Sequence, residues 1–136
     1  MTTKFKTNDY IQLNHYCLVT KVGNDITYLK DCKTGFEFQA IGQVQDKMLS
    51  CSNYEKEEIV CRTTLADKLI NSNKHIFTVV FTKKDGSKKT LRGHFLYIDK
   101  MMGRSVVWDL ENDGQRQIDH RTIEELIIDG VHYKLK

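Results

Sequence analysis

The residues best placed to do chemistry are basic and gather around one turn. Lys83, Lys84, Lys88, Lys89 and Arg92 lie within KKDGSKKTLR, with His94 and Lys100 at the flank and Tyr97 as an aromatic neighbour. Cations at this spacing can contact nucleic-acid phosphates, and each contact releases counterions, so binding weakens as salt rises. The same lysines also suit a solvated hairpin tip that discourages edge pairing. Trp108, Tyr97 and Tyr133 are candidates for stacking on unpaired bases. Trp108, however, shares its strand parity with Val106 and Leu110, which places it in the core.

Catalytic chemistry finds no comparable pattern. Asp109, Glu111, Asp113, Asp119 and His120 form an acidic stretch, but their spacing matches no calcium loop and is expected to be a solvated turn. His15 with Cys17, or His94 with a carboxylate, can be drawn as dyads. No nucleophile elbow, glycine-rich phosphate loop or paired metal-ligand motif accompanies them. Cys17, Cys32, Cys51 and Cys61 contain no C-x-x-C pair and are expected to be reduced and mostly buried. The expectation is a non-enzymatic protein without a cofactor or metal.

The element that must carry the basic residues is a hairpin. Phe77, Val79 and Phe81 alternate with Ile76, Thr78, Val80 and Thr82, while Leu91, Phe95 and Tyr97 alternate with Thr90, Arg92 and His94. This period of two marks strands with one core face and one polar, basic face. Asp85-Gly86 tolerates positive φ and reverses the chain between them. A third strand, Arg104 to Leu110, follows.

Upstream, Cys17 to Val22, Ile26 to Lys30 and Phe36 to Ile41 read as a three-strand meander, joined by Gly23-Asn24-Asp25 and by Asp31 to Gly35. Phe5 to Leu13 leads into it after an Asn8-Asp9 turn. Val44, Met48 and Leu49 fit either a short strand or a helical turn, Asn53 to Glu58 a polar loop, and Ile59 to Cys61 a strand closing this unit. Thr63 to Asn71 carries the strongest helix signal, with Thr64 as N-cap and Leu65, Leu69 and Ile70 on one face. Downstream, Glu111 to Gly114 is a turn, Gln115 to Ile118 a short strand, and Arg121 to Ile123 one helical turn. A final hairpin forms around Asp129-Gly130.

The expected architecture is mainly β: two small antiparallel SH3-like barrels, residues 1–62 and 63–136, the second opened by the connector helix. Its 136 residues accommodate two such units. Hydrophobic residues at 40% and charged residues at 29% fit a folded chain, and proline is absent. No apolar run is long enough for a membrane helix, and Met1-Thr2-Thr3-Lys4 leads into no signal-peptide core, so a cytoplasmic location is expected. The net charge of +3 is unevenly spread. Residues 74–104 hold eight basic side chains against Asp85 and Asp99, whereas residues 105–136 hold four basic and seven acidic ones.

The pieces ADKLI, FTVVFTKKDGSKKTLRG and VVWDLENDGQRQIDHRTI resemble the SH3-like, Sm-like small-barrel family of tailed-phage proteins named for its likeness to WYL domains. More loosely, FKTNDYIQL and CLVTKVGNDITYLKDCKTGFEF are similar to SH3-like barrels of the KOW and Tudor sort. The first resemblance implies a phage accessory protein and supplies no active site. The second implies contact with nucleic acid or with the polymerases that handle it. The functional expectation is nucleic-acid binding, DNA or RNA, through Lys83, Lys84, Lys88, Lys89, Arg92, His94 and Tyr97, modulating transcription in the host cell. The alternative is a modulator that binds a host protein, using a loop such as Tyr54 to Glu58.

Overall fold

A computed structural model describes residues 5–13 and 15–136, with residues 46 and 47 described by backbone alone. The opening Met1-Thr2-Thr3-Lys4 lies outside the described residues.

The alternating pattern of the first half produces β1 (Tyr10–Gln12), β2 (Tyr16–Val22), β3 (Ile26–Asp31) and β4 (Glu37–Ile41), followed by a 3-10 turn (Gly42–Lys47) and β5 (Leu49–Ser50). These form a five-stranded sheet in the order β4-β3-β2-β1-β5. The second half contributes β6 (Lys56–Val60), α1 (Arg62–Ile70), β7 (Phe77–Thr82), β8 (Lys88–Asp99), β9 (Arg104–Asp109) and β10 (Gly114–Asp119). A 3-10 turn (His120–Thr122) then leads to β11 (Ile123–Ile128) and β12 (Val131–Leu135). This sheet has seven strands, ordered β10-β9-β8-β7-β11-β12-β6.

One plan is used twice. In each half four strands meander, a 3-10 turn follows, and the next strand returns to pair antiparallel with the first of the four. Among the described residues the fold is mainly β with one α-helix, as the alternation implies. Both sheets are open, because no strand pairing among the described residues joins β4 to β5 or β10 to β6. The expected closed barrels are therefore two open sheets.

The strand expected to close the first unit behaves differently. β6 leaves the first sheet and pairs in parallel with β12, Val131 opposite Lys56 and Leu135 opposite Val60. The polar loop expected over residues 53–58 accordingly ends at Glu55. The helix begins one turn earlier than its threonines suggest. Cys61, extended at φ −79 and ψ 165, is the N-cap, and Thr64 lies inside the helix.

Each sheet has its own core. In the second, Leu65 and Leu69 of α1, four residues apart and hence on one face, pack with Phe77, Val79, Leu91, Val107 and Leu126. In the first, Ile11, Cys17, Val19, Leu29 and Met48 are packed together. A third cluster of Tyr10, Cys51 and Ile76, with Tyr16, Leu18 and Leu110 against it, draws on both halves. Polar contacts also cross: Thr78 Oγ1 donates to the Cys51 carbonyl at 2.7 Å, and the Ile76 amide donates to Gln12 Oε1 at 3.1 Å. The buried Asp9 carboxylate accepts from the Ser50 hydroxyl, from Ser52 Oγ at 2.8 Å and from Cys51 Sγ at 3.3 Å, fixing the chain just beyond β5.

β8 is the strand on which the second sheet turns. Its first half pairs with β7 and its second with β9, and Gly93 is opposite both Phe77 and Asp109. A Cβ on Gly93 would lie 1.8 Å from the Trp108 carbonyl oxygen, so only glycine fits this close approach.

Candidate nucleic-acid interface

The hairpin forms where the pattern places it. β7 and β8 are closed by a loop in which the Lys83 amide donates to the Ser87 carbonyl at 2.7 Å and the Gly86 amide to the Lys83 carbonyl at 2.9 Å. Gly86 takes φ 89, which L side chains rarely adopt. The loop's one acid is turned inward: Asp85 accepts from Ser87 Oγ at 2.6 Å and from the Ser87 amide at 2.9 Å, which holds its carboxyl below the usual range.

The seven expected contact residues do not form a single patch. Lys83, Lys84 and Lys88 are exposed at the tip, with Lys88 Nζ 3.7 Å from Glu124. Lys89 lies opposite Phe81 and is half-buried on the parity of Leu91. Arg92, on the other face, donates through Nη1 to Glu111 at 3.1 Å. His94 stacks on Tyr16. Tyr97 is 54% exposed beyond a bulge between Phe95 and Tyr97, and this shift in register takes it off the parity of Leu91 and Phe95. Lys100 lies in the turn at the other end of β8.

A cleft of about 590 Å³ lies beside the tip, lined by Lys83, Lys84, Phe81 and Thr82 from the hairpin and by Arg104, Gln117 and Asp119 from β9 and β10. Arg104 donates to Gln117 Oε1 at 3.3 Å. Of the cleft's two carboxylates, Asp85 accepts from Ser87 and stays an anion near Lys83, while Asp119 is paired with Arg121. The guanidinium reaches Asp119 at 2.8 and 3.1 Å, and the Arg121 amide adds a third bond at 2.9 Å, holding its carboxyl at about 2. Lys83 and Lys84 carry no ion pair among the described residues. Arg104 belongs to this cationic cleft although it lies far from the lysines in sequence; only the pairing of β8 with β9 brings it there.

A second cleft, of about 810 Å³, opens between the two sheets and is lined by aromatic rings. Tyr16 and His94 stack with centroids 4.4 Å apart and planes 9° apart, and the Tyr16 hydroxyl donates to the Lys74 carbonyl. Trp108 pairs with His94 across β8 and β9. The parity argument placed Trp108 in the core, but it is half-buried here, because the face it shares with Leu110 meets the first sheet. Tyr10 completes the lining, and burial, with Glu111 nearby, pushes its hydroxyl up to about 12. Burial lowers the His94 imidazole, favouring its neutral form. At the rim, Asp31 accepts the Lys33 and Thr34 amides at 2.8 and 3.1 Å, with Lys30 of β3 and Lys33 of the turn as the cations beside it. Tyr10 and Tyr16 were not singled out from the sequence; the signal was their placement on β1 and β2 among apolar neighbours.

The drawn dyads do not form. Cys17 Sγ donates to the His15 carbonyl at 3.7 Å, and burial pushes the thiol up to about 11. His94 meets Tyr16 rather than a carboxylate. His120 Nε2 lies 2.6 Å from Ser105 Oγ, but Ser105 has no exposed surface, so this pair is not presented to a substrate. Among the described residues no cluster of three or more His, Cys, Asp or Glu side chains could hold a metal ion, and no helix is long and apolar enough to cross a membrane. Cys17 and Cys51 are buried, while Cys32 and Cys61 are exposed, so only half of the free thiols are interior as expected. Compared with protein-family models, with curated proteins and with solved structures, the chain matches none of them.

Proposed function

We propose that the protein binds nucleic acid through the tip of the β7–β8 hairpin, with Lys83, Lys84 and Lys88 as phosphate contacts and Arg104 joining them across the adjacent cleft. One observation carries this reading: Lys83, Lys84 and Arg104 converge on one cleft and form no ion pair among the described residues, its Asp119 being paired with Arg121. An anion entering there meets positive charge without displacing an ion pair. Lys89 and Arg92 act less directly, since one lies on the core-facing parity and the other is held by Glu111 at 3.1 Å, a tighter pairing than the 3.7 Å of Lys88 to Glu124.

The repeated plan of meander, 3-10 turn and returning strand supports taking each half as an SH3-like unit whose sheet stays open. With the resemblances in ADKLI and FTVVFTKKDGSKKTLRG, it supports a non-enzymatic phage accessory protein acting on transcription in the host cytoplasm. The test is fluorescence anisotropy with labelled DNA and RNA, comparing the natural chain with a Lys83→Glu, Lys84→Glu, Lys88→Glu variant. The variant should fold, because these side chains are exposed at a loop, and should lose binding. Unchanged affinity removes the proposal.

A second reading, a modulator that binds a host protein without nucleic acid, is favoured by β6. It is an edge strand, and Ile59 on it is 73% exposed. This reading requires a stoichiometric complex that survives nuclease and is weakened by Ile59→Lys.

A further inference from the structure

We infer that the aromatic cleft between the sheets receives one unpaired nucleobase, so that the nucleic acid bound is single-stranded; this rests on the proposed reading of the hairpin. Three observations converge. The cleft is an open space of about 810 Å³ whose walls carry Tyr10, Tyr16, His94 and Trp108, contributed by four strands of both sheets. Rings of this kind stack on any base, at about 1–3 kcal/mol per base by alanine substitution. A duplex keeps its bases stacked inside and offers none to such a cleft.

The second observation is charge. Lys30, in β3, and Lys33, in the turn that follows, stand at the rim; of the acids lining it with Asp113, Glu111 is paired with Arg92 and Asp31 accepts the Lys33 and Thr34 amides. A phosphate next to the inserted base would meet these two lysines. The third is direction. Lys88, Thr90, Arg92 and His94 share one parity of β8 ahead of its bulge, so one face of a single strand of sheet leads from the basic tip to the cleft. Six residues of strand cover roughly 20 Å. A single-stranded chain can follow that face, its phosphates on the tip and one base between the sheets.

Trp108 is the only tryptophan and lines the cleft, so its emission reports occupancy. The natural chain is titrated with a short oligothymidylate and with a mixed-sequence duplex, following Trp108 fluorescence and, separately, the anisotropy of the labelled nucleic acid. The single strand should quench Trp108 and bind at least tenfold more tightly than the duplex. Tyr16→Leu, which removes the stacking ring, should weaken single-strand binding at least tenfold, a change of about 1.4 kcal/mol. Lys33→Glu, at an exposed turn where folding is not at risk, should weaken it severalfold and leave duplex binding unchanged. If nucleic acid binds and the hairpin lysines are needed, but Trp108 emission is constant and Lys33→Glu has no effect, the base-binding cleft is wrong while the hairpin reading stands. Equal affinity for duplex and single strand overturns it as well. If neither nucleic acid binds, the hairpin reading falls and this inference with it.

Discussion

The rings of Tyr16 and His94 lie parallel, 4.4 Å apart, and this stack fastens the five-stranded sheet to the seven-stranded one. It explains why His94, on the basic face of its strand, is not a surface cation. Packing against the first sheet strips water from the imidazole and disfavours its charged form.

That burial has a consequence for stability. The imidazole titrates near 6.5 in the unfolded chain and lower in the folded one, so acid protonates the unfolded chain first. Stability is complete above the unfolded value and falls as the pH drops through it. His120, half-buried beside Ser105, is shifted the same way by loss of water despite Asp119 and Asp67. Urea unfolding between about pH 8 and pH 5 should show this decline. His94→Phe, which keeps a ring against Tyr16, should make it shallower; an unaltered slope would mean that His94 is not the group responsible.

Gly93 admits no side chain. Its substitution by alanine forces a Cβ toward the Trp108 carbonyl at the residue where β8 changes partner from β7 to β9. A loss of about 2–3 kcal/mol in urea unfolding is expected. A change below about 0.5 kcal/mol, the scale of ordinary surface substitutions, would show that the close approach is relaxed in solution.

Asp9 gathers three donors, two of which, the Ser50 and Ser52 hydroxyls, otherwise have each other at 3.5 Å. With Asp9→Ala the hydroxyls of Ser50 and Ser52 and the thiol of Cys51 lose their shared carboxylate acceptor in a part-buried site. The expected cost is about 2–3 kcal/mol, with Asp9→Asn recovering part of it. Equal stability of the alanine variant would rule out a structural role for the network.

The four thiols should react in a fixed order. Cys61 is exposed at the start of α1, where the Thr64 hydroxyl and amide hold its thiol below the usual range. Cys32, exposed but partly desolvated and beside Asp31, is raised, and burial pushes Cys17 to about 11 and Cys51 to about 12. Iodoacetamide applied to the folded protein should therefore label Cys61 first and Cys17 and Cys51 only after unfolding, as peptide mass mapping would record. Thr64→Val should slow Cys61. Early labelling of Cys51 would contradict its burial.

Much of the local structure was legible in the sequence because period two and turn chemistry act over a few residues. The meander of β2 to β4, the Asp85-Gly86 reversal and the Asp129-Gly130 hairpin all follow from them, with Asp129 and Gly130 at φ 51 and 79. What was not legible depends on partners distant in the chain. KEEIV carries no mark of parallel pairing with β12, and the alternation of β9 cannot say that the face bearing Trp108 meets a second sheet rather than a core. The site divides likewise. The exposed tip lysines are local to their turn, whereas Arg104 and Tyr16 reach their clefts only through tertiary structure.

The decisive measurement is the salt dependence of nucleic-acid binding, for the natural chain and for the Lys83→Glu, Lys84→Glu, Lys88→Glu variant. With about three phosphates neutralised at the tip, the logarithm of the association constant should fall against the logarithm of salt with a slope of about −2 to −3. Charge reversal should abolish binding at moderate salt. A slope near zero, or a variant that binds as the natural chain does, would contradict the assignment of the hairpin tip as the phosphate-binding surface.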